Sequence, residues 1–70
     1  MKHTDLIRRI REAADEAGIS FELRRADGPH ERWDLDGLRL SVPRHREVNE
    51  LTARAIMEFV EQKLGKDWWR

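Results

Sequence analysis

Val42-Pro43-Arg44-His45-Arg46-Glu47-Val48, with Gly28-Pro29-His30 shortly before it, brings imidazole and guanidinium groups together in a short span. An imidazole titrates near pH ~6.5 and so moves protons under ordinary conditions, and a guanidinium presents a planar fork of donors that matches phosphate oxygens. Pro43 holds Val42 out of helical geometry and donates nothing to a strand ladder. A sheet is therefore expected to stop there, leaving Arg44, His45 and Arg46 on a loop. Residues 37–46 hold Arg39, Arg44 and Arg46 without a carboxylate, whereas Glu12, Asp15 and Glu16 make the end of the first helix acidic. The pattern fits a local phosphate site; a solvated, ion-paired surface is the alternative.

Composition limits the rest. At 70 residues the chain forms one domain, 1–70, and a chain this short buries only about 60–65% of its unfolded surface, so the core has to be fully used. With 14 basic and 14 acidic residues the net charge is zero, which gives no global argument for nucleic acid. The basic residues are mostly arginine. There is no cysteine, which excludes a disulfide framework and a thiolate zinc site. Met1–Leu6 is too polar for a signal peptide, and no apolar run approaches the roughly 20 residues of a membrane span. A cytoplasmic protein with no membrane association is expected.

The elements that must position these residues follow from periodicity. Leu6, Ile7, Ile10, Ala14 and Ala17 share a helical face, with Thr4 as cap and Gly18 as stop, so the first helix covers about 5–17. Ile19, Phe21 and Leu23 alternate with polar residues as a strand with one buried face does, and Asp27-Gly28-Pro29 ends it. Strands at about 30–35 and 38–42 meet across Asp36-Gly37, a strong hairpin signal. That turn pairs Leu35 with Leu38, Trp33 with Leu40, Glu31 with Val42 and His30 with Pro43. Matching buried faces on the other side pairs Leu23 with Trp33, Arg24 with Arg32 and Ala26 with His30, giving an outward row of Arg24, Arg32 and Ser41. A last helix over about 50–64 carries Val48, Leu51, Thr52, Ala55, Ile56, Phe59, Val60 and Leu64 at helical spacing, with Asn49 as cap and Gly65 as stop. The economical arrangement is α+β, helix-strand-strand-strand-helix, with both helices on one face of a three-stranded antiparallel sheet.

In this order and spacing the chain resembles the HicA family of bacterial type II toxins over nearly its whole length. The carriers are Asp5-Leu6-Ile7, Gly28-Pro29-His30 where the family usually shows Gly-Ser-His, Val42 to Val48, and Thr52-Ala53-Arg54-Ala55-Ile56, which is similar to the family's Gly-Thr-Leu-Arg-x-Ile helix start. The resemblance implies a double-stranded-RNA-binding-like fold and an mRNA interferase that cleaves RNA with one histidine, inhibits translation and is neutralised by a HicB-like antitoxin. The matching histidine is His30. Pro29 replaces the family's serine, so no role for that hydroxyl carries over. Leu51 replaces the glycine before Thr52.

Such an enzyme lets a ribose 2′-hydroxyl attack its own phosphate, which requires a base, a proton donor and stabilisation of added negative charge. His30 is assigned the proton steps, and Arg24, Arg32, Ser41, Arg44, His45 and Arg46 the RNA contacts. His45 also suits backbone hydrogen bonding, and His3 is expected to be inert. Three scattered histidines form no metal site, so cleavage without metal or cofactor is expected. Phe21, Trp33 and Phe59 fall on buried periods. Base-stacking aromatics are then missing from the outward face, and recognition rests on phosphate and shape. Trp68 and Trp69 either fold back onto the domain or join a partner surface. A non-catalytic RNA-binding module and a protein-interaction domain are the competing readings.

Overall fold

A computed structural model describes residues 1–70. The fold is α+β: α1 (His3–Ala17), β1 (Phe21–Asp27), β2 (His30–Leu35), β3 (Leu38–Pro43), α2 (Glu50–Phe59) and a short α3 (Glu61–Leu64). The strands form one antiparallel sheet in the order β1-β2-β3. No helix is long and apolar enough to cross a membrane.

Turn chemistry fixes the sheet. Asp36 and Gly37 both have positive φ, 50° and 90°, as a two-residue turn matched to strand twist requires. The Gly37 amide donates to Asp34 Oδ1 at 2.8 Å. The resulting register pairs His30 with Pro43, Glu31 with Val42, Trp33 with Leu40 and Leu35 with Leu38, as predicted. Pro43 ends β3, also as predicted.

The β1–β2 side departs from expectation. Leu23 does oppose Trp33, but the register then slips, so Arg25 rather than Arg24 opposes Arg32, Ala26 opposes Glu31, and Asp27 rather than Ala26 opposes His30. A bulge inserts one residue into an edge strand and shifts everything beyond it. Leu23, paired with Trp33 on this edge strand, is 47% exposed.

One hydrophobic cluster joins Leu6, Ile10 and Ala14 of α1, the inward sheet residues Phe21, Trp33, Leu35, Leu40 and Val42, Val48, and Ala53, Ile56, Met57 and Val60. Both long helices thus share a core with the same sheet face. Phe21 and Trp33 stack with ring centres 4.4 Å apart, and the Arg11 guanidinium lies over both rings. Every buried side-chain nitrogen and oxygen has a partner.

The helix termini correct several expectations. Lys2, not Thr4, is the N-cap of α1, and no side chain caps that end. Gly18 ends the helix at φ 71°. Asn49 does cap α2, accepting from the Leu51 amide at 2.8 Å. Asn49→Ala is expected to cost ~1 kcal/mol in chemical denaturation. The last helix is not continuous to residue 64 but breaks at Val60.

The buried stripe of α2 is Ala53, Ile56 and Met57, continued by its C-cap Val60. Leu51, at 79% exposed, and Phe59, at 44%, lie outside the core. Leu51→Gln should accordingly change stability by no more than ~0.5 kcal/mol, whereas a core position would lose several times that. Both terminal indoles fold back: Trp68 Nε1 donates to Met57 O at 2.9 Å and Trp69 Nε1 to Glu61 Oε2 at 3.0 Å.

Candidate functional site

Strand alternation sorts the candidate residues by face. Trp33 and Leu35 of β2 join the core, so His30, Arg32 and Asp34 point away from the helices. Ser41 opposes Arg32, and Arg39 opposes Asp34. His30 is exposed at the strand end, and its imidazole enters none of the chain's side-chain hydrogen bonds or ion pairs.

Although the bulge removes Arg24 from direct pairing with Arg32, it keeps the side chains together. Arg24, Arg25, Asp27, Arg32, Arg39 and Ser41 line one concavity of about 620 Å³, which Trp33 and Leu40 also border. Arg25 is engaged by Asp27 at 3.1 Å. Arg24, Arg32 and Arg39 have no carboxylate partner, so their forks stay available to an anion. The sequence marks Arg39 only as part of the carboxylate-free run 37–46, and it does not mark Arg25 at all. Arg25 was missed because a bulge leaves no reliable mark in a single strand pattern.

Arg44, His45 and Arg46 fall elsewhere. They line a separate cleft of about 420 Å³ with Lys2, His3, Thr4 and Glu31, at the start of α1. Arg44 connects the two regions. Its amide donates to Pro29 O at 2.9 Å, and its Nη1 lies 3.4 Å from both Ala26 O and Gly28 O, over the turn that precedes His30.

The chain start holds this loop in place. The His3 amide donates to Arg46 O at 3.0 Å, the Val48 amide to Met1 O at 2.7 Å, and the Met1 ammonium to Val48 O at 3.0 Å. That ammonium also meets Glu50 at 2.9 Å and Glu47 at 3.3 Å. Its pKa is raised above 8.0, chiefly by the Glu50 hydrogen bond and against a desolvation effect that lowers it.

His3, expected to be inert, is the most organised histidine. Its Nε2 lies 2.7 Å from Glu31 Oε1, which also accepts from Trp33 Nε1 at 3.0 Å. The one available signal was Glu31 itself: a carboxylate in an otherwise apolar inward row needs polar partners to be tolerated there. Nothing in the sequence said that His3 would be one of them.

The site therefore consists of an arginine-lined outer sheet face ending at His30 and a cationic cleft around the strand end, with Arg44 between them. No family model, curated protein or solved structure matches the chain.

Proposed function

We propose that the chain is a ribonuclease toxin of the HicA kind, with a double-stranded-RNA-binding-like fold, that cleaves messenger RNA and is neutralised by a HicB-like antitoxin. One observation carries the reading. The free imidazole of His30 stands at the end of the outward β2 row, on the same face as Arg32 and Ser41 and beside the turn spanned by Arg44. The sequence resemblance to the HicA family assigns its histidine to that same position.

In this account arginines of the sheet face hold backbone phosphates through paired N–H donors, and Ser41 adds a hydroxyl. His30 moves a proton at the reacting ribose or at the departing oxygen. As the 2′-oxygen bonds to phosphorus, the bond to the 5′-oxygen breaks, leaving a cyclic phosphate and a 5′-hydroxyl. Arg32 and Arg44 stabilise the charge added at phosphorus. Phe21 and Trp33 are buried, so the sheet face offers no stacking platform and recognition rests on phosphate and shape.

Induced expression in a bacterium should arrest growth and degrade messengers, and His30→Ala should relieve both. Messengers that remain intact during arrest would contradict cleavage, as would equal toxicity of a folded His30→Ala chain. The antitoxin is expected to cover His30 or the Arg44-His45-Arg46 loop, since a region without carboxylates welcomes acidic groups. Protection mapping of the inhibited complex should show one of these shielded. Exposure of both would mean inhibition by another route.

A further inference from the structure

We infer that the cleft between the start of α1 and the β3–α2 loop is a second nucleotide-binding site, built to take a phosphate–ribose unit of RNA and organised by the His3–Glu31 pair. The inference rests on the ribonuclease reading only for the identity of the ligand as RNA.

The lining supplies the first argument. None of the lining residues is hydrophobic, and Lys2, Arg44 and Arg46 face a single carboxylate, Glu31. That carboxylate is already occupied by His3 and Trp33. The neighbouring Glu47 and Glu50 are drawn to the Met1 ammonium. Three cations are thus left without a carboxylate partner around a cleft of about 420 Å³. An anion with several oxygens satisfies such a set, and a phosphate is the geometric match for two guanidiniums.

The His3 ring supplies the second argument. Trp33 Nε1 is only a donor, so Glu31 Oε1 accepts from it, and an ionised carboxylate has only acceptors to offer. With Glu31 ionised, His3 Nε2 is the donor across the 2.7 Å contact. The ring is fixed, and Nδ1 is the atom left for a ligand. A neutral imidazole would accept there from a ribose hydroxyl, and an imidazolium would donate there to a phosphate oxygen. A backbone unit of RNA presents both groups. His45 lines the same cleft, exposed, from the loop side.

Position supplies the third. Arg44 lines the cleft and reaches the carbonyls of the turn before His30, so a strand crossing His30 continues past Arg44 into the cleft.

The test is a titration of the full chain carrying His30→Ala, which leaves the RNA uncut, following the ring resonances of His3 and His45, with inorganic phosphate and with a short oligoribonucleotide whose 2′-hydroxyls are intact. His3 and His45 should shift together and saturate, more tightly with the oligonucleotide than with phosphate. Arg46→Ala should weaken binding roughly ten-fold, the loss of one charge-assisted contact. Glu31→Gln should alter the His3 response while the fold, read by far-ultraviolet circular dichroism, persists. Unresponsive His3 and His45 resonances would overturn the inference. So would inorganic phosphate binding as tightly as the oligonucleotide, which would make this a free-phosphate site. Saturation at the cleft, with a parent chain that cleaves no RNA, would defeat the ribonuclease reading and leave the site standing. Cleavage that depends on His30 with a silent cleft would do the reverse.

Discussion

His30→Ala is expected to slow RNA cleavage by roughly 10²–10⁴-fold, the usual contribution of a positioned proton-transfer group. The fold should be untouched, because the side chain is exposed and packs against nothing in the core. Its neighbours act differently. Arg32→Ala and Arg44→Ala each remove one cation from a set, so turnover or RNA affinity should fall less completely than with His30→Ala. Single-turnover rates on one RNA substrate, with circular dichroism of each variant, separate these outcomes. A folded His30→Ala chain that cleaves as fast as the parent would remove His30 from the mechanism. An arginine variant that loses more than His30→Ala would shift the weight to phosphate binding.

The second large effect concerns stability. Leu35 is wholly buried and lies where both hairpins meet, opposite Phe21 on one side and Leu38 on the other. Leu35→Ala should cost ~2–5 kcal/mol, the sum of lost transfer energy and the cavity left behind. A core in a chain of 70 residues rarely supplies more than ~3–5 kcal/mol, and no disulfide supplements it. The variant should therefore be largely unfolded at room temperature in a denaturant titration. A loss below ~1 kcal/mol would mean that the sheet–helix interface can collapse around the gap.

Legibility of the fold followed the strength of local chemistry. Asp36-Gly37 permits essentially one hairpin geometry, so every β2–β3 pair was readable from sequence, including the outward placement of His30 and the inward placement of Trp33. The β1–β2 register was not. Matching apolar faces gives an unbroken register, and the slip between Leu23 and Arg25 is a feature of an edge strand that alternation alone does not encode. From α2 to its C-cap, Leu51, Ala55 and Phe59 recur at a helical spacing as regular as that of Ala53, Ile56, Met57 and Val60. Only packing against the sheet chooses the second set.

Among the candidate site residues, those fixed by strand register could be placed in advance: His30, Arg32 and Ser41. Arg44, His45 and Arg46 could be assigned to a loop, but not to the cleft at the start of α1. That cleft depends on contacts between residues at opposite ends of the sequence, such as the His3 amide with Arg46 O. His3 illustrates the same limit. Its partner Glu31 was visible as a misfit in an apolar row, yet the pairing spans 28 residues and is set by how α1 crosses the sheet.

Histidine-driven RNA cleavage can be observed by incubating the purified chain with a defined RNA in the presence of EDTA and identifying the new ends. The expected products are 5′-hydroxyl ends and 2′,3′-cyclic phosphates, formed at the same rate with and without the chelator and lost in His30→Ala. Intact RNA, cleavage abolished by EDTA, or the same products at the same rate from His30→Ala would contradict it.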